Sequence, residues 1–379
     1  MNWQRTRSFF PVTREVAYFN HAGVAPVSTR VEEALGRYCA EATRYGALRY
    51  DRAFDAEVER VRARAALLLG AQPDELAFVK NTTEGLGLVA TGLDWRAGDQ
   101  VVTCDLEYPS NVYPWWSLRE RGVETLMLRG REGRLPPEDV EEALRSPRVR
   151  LLALSSVEFG SGARNDLGTL GRLCRERGVL FCVDAIQSLG CLPLDPVAWG
   201  IDFLAADGHK WMLGPEGAGM AYIRREHLER LRPFGVGWHS VVHSSDYTRI
   251  ELDLKPSAAR YEGGSQNMVG MLGFGASLDL LLDLGIEQIA AAILEITDRA
   301  CMRLEQIGAT IVSDRRTDHR SGIVAFELAG RDPLAMKKHC LTRQVVLSCR
   351  AGRLRISPHA YNNEEDLDRL VHALQSFPS

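Results

Sequence analysis

The chain has 379 residues, 45% of them apolar, and a formal net charge of −4. A chain of this size can bury a large core and form two lobes, and its charge balance gives no reason to invoke nucleic acid or an acidic membrane as partner. The eight cysteines lack Cys-x-x-Cys spacing and read as free thiols, no run reaches membrane-spanning length and no long apolar segment opens the sequence, so a cytoplasmic location is expected.

In chain order, apolar strand-like runs near 76–80, 100–104, 151–157, 179–183 and 203–206 alternate with helical patterns such as 134–146 and 166–177. This alternation predicts an α/β fold, a mostly parallel sheet with helices on both faces. After a glycine turn at Gly263, the apolar stretch from Leu272 to Leu284 leads into a second lobe. The expected division is a large domain over 16–265 and a smaller C-terminal α/β domain over 266–379, with residues 1–15 packed against the latter.

The strand ends carry the chemistry. The run ending at Val79 is followed by Lys80-Asn81-Thr82-Thr83-Glu84-Gly85, a polar turn that opens a helix. Exposed N–H groups at a helix N-terminus, with threonine hydroxyls beside them, make an anion site, although the same pattern also serves as a plain helix cap. Leu180-Phe181-Cys182-Val183 delivers Asp184 at its carboxyl end, where ligands bind in open α/β sheets. Phe203-Leu204-Ala205-Ala206 delivers Asp207-Gly208-His209-Lys210, and only five of the 46 Lys and Arg residues are lysines. Arginine could not replace an amine nucleophile at that turn, because a guanidinium is effectively never deprotonated. A carboxylate, a reactive lysine and a phosphate cup together suit pyridoxal 5′-phosphate. The lysine holds the cofactor as an imine, and the aspartate keeps the pyridine nitrogen protonated so that the ring accepts electrons.

Asn81-Thr82-Thr83-Glu84-Gly85, Leu106-Glu107-Tyr108, Asp184-Ala185-Ile186-Gln187, Gly208-His209-Lys210, Gly263-Gly264-Ser265 and Arg355-Ile356-Ser357 occur in this order over nearly the whole chain. The set resembles the class V aminotransferase family of fold-type I pyridoxal-phosphate enzymes, which includes cysteine desulfurases, kynureninases and isopenicillin N epimerases. The resemblance implies a large domain with a mostly parallel mixed sheet and a smaller C-terminal domain. It makes Lys210 the covalent anchor, pairs Asp184 with the ring nitrogen and sets Gln187 against the ring's phenolic oxygen. Thr82, Thr83 and His209 would hold the phosphate, and Ser265 would reach the phosphate of a neighbouring subunit, which implies a homodimer with shared active sites. Arg355 would hold the substrate carboxylate, Arg350 would make a second substrate contact, Asn20 and His21 belong to the entry loop, and Tyr108 stacks over the ring.

Departures from the family pattern narrow the reaction. Tyr108 stands where desulfurases carry a histidine, and only Ala351-Gly352-Arg353-Leu354 separates Arg350 from Arg355, too short a loop for a persulfide-forming cysteine. Cys349 reads as a small residue at a strand end. Asp207 replaces a hydroxyl residue and either points away or bonds His209; Glu158 or Phe159 occupies the place of a ring-contacting asparagine. The expected activity is transamination or β-elimination of a small α-amino acid, by way of an imine with the substrate amine and a ring-delocalised carbanion. The alternatives are an epimerase, a cysteine desulfurase-like C–S lyase, or a pyridoxal-phosphate-binding protein without turnover.

Overall fold

The computed structural model describes residues 2–378. Seven strands make the central sheet: β1 (Leu76–Val79), β2 (Gln100–Cys104), β3 (Glu124–Leu128), β4 (Val149–Ser155), β5 (Leu180–Asp184), β6 (Phe203–Asp207) and β7 (Gly219–Ile223). Their order is β1-β7-β6-β5-β4-β2-β3. Strands β2 to β6 pair in parallel, whereas β7 runs antiparallel to both β6 and β1. The fold is thus the expected α/β architecture with a mostly parallel mixed sheet. Strands β1, β2, β5, β6 and β7 are buried at every position, so they appear in the sequence as largely apolar runs. Successive residues of β4 enter opposite layers, Leu152 and Leu154 one core, Leu151 and Ala153 the other.

The covering helices include α1 (Thr29–Tyr45), α2 (Tyr50–Leu69), α3 (Thr82–Gly92), α4 (Leu167–Arg177), α5 (Met268–Leu284) and α6 (Ile286–Gln306). Helix α4 matches the expected 166–177 pattern because Asp166 caps its start and Gly178, at φ 65°, ends it. The pattern over 134–146 forms a helix only over Pro137–Ala143. No single helix among the described residues is long and apolar enough to cross a membrane.

The smaller lobe is an antiparallel sheet of β8 (Ala309–Ile311), β9 (Val324–Leu328), β10 (Ser348–Arg350) and β11 (Arg353–Ile356), in the order β10-β11-β9-β8, backed by α7 (Glu364–Gln375). The cores do not divide at 265. Met271, Phe274, Leu278 and Leu281 of α5 pack with Leu152, Phe181 and Trp211 of the central core, while Ala17 and Phe19 pack with Phe326, Leu354 and Leu370 of the smaller lobe. A helix apolar on every side carries no direction in its sequence, which hid the partner of α5. Near the start of the chain, Phe10 stacks on Tyr361 with ring centroids 4.0 Å apart, both in the central core, and Arg7 pairs with Asp366 of α7 at 2.6 Å.

Candidate active site

A cavity of about 280 Å³ opens at the carboxyl ends of the parallel strands and is closed by the β10–β11 hairpin. Asp184, 2% exposed at the end of β5, accepts a hydrogen bond from the Ile186 N–H at 3.0 Å. Burial pushes its carboxyl up to about 6, against the pull of that N–H and of Lys210. Lys210 ends the turn after β6. Burial pushes it down to about 8, Asp184 opposes, and Arg355 adds to the fall. The amine is therefore available as a nucleophile far below the usual range of a lysine.

Helix α3 starts at the same end of the sheet. A Cβ on Gly85 would meet the Ala205 Cβ at 2.7 Å, so glycine lets α3 lie directly on β6. This close approach brings Thr82 Oγ1 to accept from the Asp207 N–H at 3.1 Å, while Thr83 Oγ1 donates to Ser110 Oγ at 2.8 Å. Asn81 is the cap, accepting from the Glu84 N–H at 2.9 Å, which leaves both threonine hydroxyls lining the cavity. His209 Nδ1 lies 2.9 Å from Asp207 Oδ2, so Asp207 faces His209 rather than pointing away, although the contact lacks hydrogen-bond geometry. Gln187 lines the cavity too, but its amide braces the wall: Nε2 donates to the Ala22 carbonyl at 3.1 Å and Oε1 accepts from Trp211 Nε1 at 2.9 Å.

Strand register sets the opposite wall. Arg355 stands across from Ser348 in the β10–β11 pair, so Arg350, two residues beyond Ser348, shares its face. Arg355 is 1% exposed; its Nε donates to Ser348 Oγ at 3.0 Å and its Nη1 to the Phe159 carbonyl at 2.5 Å, while Nη2 is buried without a partner. Burial, then Arg350, pushes this guanidinium below its ordinary range. Arg353 is neutralised by Glu327 at 2.7 Å, whereas among the described residues Arg350 donates only to the neighbouring Cys349 carbonyl at 2.9 Å. A buried cation with only neutral partners is a place for an anion. The hairpin itself turns through Ala351 and Gly352 at φ 48° and 74°. Tyr108, 46% exposed, meets the Phe159 ring edge-on at 5.2 Å and has Lys210 Nζ 5.7 Å from its ring centre.

Three expected site residues are not brought to the cavity. His21 is fully buried behind it, with Nδ1 against the Ser357 carbonyl at 2.8 Å and Nε2 against the Tyr361 hydroxyl at 2.6 Å; burial pushes it down to about 4. Asn20 is likewise absent from the lining, and the small residues Ala22 and Gly23 with Val24 form the wall instead. Ser265 is exposed and lies outside this chain's cavity. Conversely, Ser110, Phe159 and Ile186 line the cavity without having been singled out as contacts. Ser110 had a signal, its place two residues after Tyr108 in a polar turn; Phe159 had one in the resemblance, which left it and Glu158 as alternatives for the place of a ring-contacting asparagine without assigning either a role.

These residues fit pyridoxal phosphate. A desolvated amine, a buried carboxylate for a ring nitrogen, threonine hydroxyls at the start of α3 and an unpartnered Arg355 nitrogen surround one cavity.

The comparisons agree with this arrangement. The family model described as Aminotransferase class-V matches residues 17–370. A probable cysteine desulfurase of Methanothermobacter thermautotrophicus is 30% identical over 399 residues, spanning 100% of this chain and 98% of the relative. The apo cysteine desulfurase from Thermococcus onnurineus superimposes with a TM-score of 0.90 at 26% identity, covering 98% and 97% of the two chains. The cystine C–S lyase C-DES, solved with cysteine persulfide, gives 0.90 at 24% identity, covering 98% and 100%. With the family model spanning almost the entire chain and the fold shared from end to end, this chain belongs to the class V aminotransferase family of fold-type I, pyridoxal-phosphate-dependent enzymes.

Proposed function

We propose that the enzyme cleaves the Cβ–S bond of a small sulfur-containing amino acid by β-elimination and releases the sulfur into solution. The observation that carries this reading is the two-residue β10–β11 turn. Ala351 and Gly352 leave no loop for a sulfur-accepting cysteine, Cys349 is half-buried in β10, and no cysteine lines the cavity among the described residues. The relatives named as cysteine desulfurases support a sulfur amino acid as substrate.

In this reading Lys210 would hold the cofactor covalently through Nζ, Asp184 would keep its ring nitrogen protonated, the second Nε2 proton of Gln187 would be left for the phenolic oxygen, and Thr82, Thr83 and His209 would cradle its phosphate. Bound there, pyridoxal phosphate supplies an electron sink for negative charge at the substrate's α-carbon. Arg355 fixes the α-carboxylate with its free Nη2 and Arg350 takes a second contact, which orients the Cα–H bond toward Lys210. Once the substrate amine displaces it from the cofactor, Lys210 Nζ would be free to take the Cα proton and return it to the departing sulfur. The Tyr108 and Phe159 rings cover the reacting centre. The C–S bond breaks with its electron pair on sulfur, and the three-carbon fragment hydrolyses to keto acid and ammonia.

A homodimer belongs to the same reading. Ser265 is exposed, and so are Phe234, Tyr247, Ile250 and Leu252 in the preceding segment, an apolar surface suited to a second copy. The test is borohydride reduction of the loaded enzyme followed by peptide mass spectrometry and product analysis with cysteine and cystine. Cofactor mass on the Lys210 peptide, with stoichiometric keto acid, ammonia and sulfide or persulfide, supports the proposal. Conversion to a pyridoxamine form with keto acid and no ammonia would establish transamination in its place.

A further inference from the structure

Behind the aromatic wall lie two carboxyl groups that the reaction above does not use. Glu107 immediately precedes Tyr108 and Glu158 immediately precedes Phe159, on the loops leaving β2 and β4, and they are 7% and 1% exposed. One oxygen of each and Cys104 Sγ lie within 4.8 Å of one another.

Their hydrogen bonds differ in kind. Glu107 Oε1 accepts from the Ser155 N–H at 2.5 Å, and Oε2 accepts from Ser155 Oγ at 2.5 Å and Asn111 Nδ2 at 2.8 Å. Surrounded by donors, Glu107 is built to be an acceptor. Glu158 Oε1 accepts from Asn165 Nδ2 at 2.9 Å, but Oε2 is buried with no partner. Acidic neighbours push both carboxyls up: Asp184 acts on both, and Glu107 and Asp105 act on Glu158. Neighbouring carboxylates in a dry site do not readily both ionise. Burial, then Glu107, pushes Glu158 well above the carboxylate range, and burial pushes Glu107 up to about 7. A metal ion is disfavoured at the same cluster because burial pushes the Cys104 thiol far up, whereas Glu107 Oε1, with one bond from Ser155 and a long approach from Cys104 Sγ at 4.0 Å, can still accept a proton-bearing partner.

We propose that Glu158 keeps a proton that it shares with Glu107, and that this proton clamps the two loops together so that Tyr108 and Phe159 close the cavity wall. Glu158 is then a positioning residue. It sets Phe159, whose ring meets Tyr108 at 5.2 Å and whose carbonyl receives Arg355 Nη1, without touching substrate itself. Alkaline titration of the pair removes the proton, leaves two facing carboxylates and forces the loops apart.

The experiment compares the pyridoxal-phosphate-loaded wild type with Glu158→Gln, which keeps a donor amide and cannot ionise, and with Glu158→Met, should the first variant fold poorly. The infrared difference spectrum at neutral pH is expected to show a protonated carboxylic acid band in the wild type that both variants lack. Near-ultraviolet circular dichroism, which reports aromatic packing, is expected to show a reversible alkaline transition in the wild type that disappears in the variants. Absence of the acid band, or the same alkaline transition in Glu158→Gln or Glu158→Met, would overturn the proposal. Neither readout uses a substrate, so the result stands apart from the C–S lyase reading.

Discussion

Arg355 shows how far a residue's chemistry is prescribed by its neighbours. It is buried with two neutral acceptors, and its free Nη2 awaits an anion. A charge-assisted contact of this kind contributes about 2–3 kcal/mol, so Arg355→Met is expected to raise KM for an α-amino acid roughly 30- to 150-fold. The cofactor-free variant should be no less stable than the wild type in thermal melts, because a buried cation without a counter-charge is removed. A large drop in stability would assign Arg355 a structural role. His21 behaves differently. Its folded pKa of about 4 lies below the unfolded value near 6.5, so folded protein releases a proton that the unfolded chain keeps between those values. Stability from this group is full above about pH 6.5 and is lost as pH falls to about 4, by about 3 kcal/mol. Asp184, raised to about 6, acts with the opposite sign: its contribution is present below the unfolded value and lost as pH rises through about 6. The measurement is therefore the difference between His21→Asn and wild type in urea unfolding at pH 4.5 and 7, where the variant should show the flatter rise with pH. Asp184 and Lys210 stood out in the sequence because Asp184 ends an apolar strand and Lys210 closes the short turn after the next one. His21 was misplaced because a histidine in a loop carries no mark of whether its ring faces a cavity or packs behind it among Tyr361, Trp211 and His359.

At the scale of elements, the contact between α3 and β6 decides where the phosphate cup stands. Gly85→Ala must push α3 off β6, since the new Cβ would lie 2.7 Å from Ala205 Cβ. The expected cost is about 1–3 kcal/mol in stability, with cofactor affinity weakened because Thr82 and Thr83 move with the helix. Equilibrium unfolding and cofactor titration measure the two, and unchanged cofactor affinity would detach the cup from this contact. The β10–β11 turn gives a second test. Ala351 is held at φ 48°, where glycine is at ease, so Ala351→Gly should stabilise the protein by about 1 kcal/mol in denaturant titrations. Cys349→Ala should leave sulfide release with cysteine within about twofold of wild type, as expected of a strand residue with a packing role. Strand runs were readable here because full burial makes them largely apolar. Helix α5 was readable as a helix, but its partner was not.

For the whole molecule, the proposed dimer predicts a light-scattering mass twice that of the monomer. Replacing Ile250 and Leu252 with aspartate should halve that mass and lower activity, because Ser265 would no longer reach the neighbouring site. Retained activity in a monomer would confine the active site to one chain. The sequence by itself pointed to the class of fold, the order of the strand ends and the candidacy of Lys210 and Asp184, because buried strands and the residues that follow them leave a local pattern, while Arg355 was reached through the family resemblance. Tertiary structure alone decided that α5 joins the central core, that Phe159 and Ser110 complete the cavity while His21 does not, and that Glu107 and Glu158 face each other behind its wall. Those outcomes depend on which distant segments share a volume, and the pairing of residues some fifty positions apart is written in packing rather than in any local periodicity.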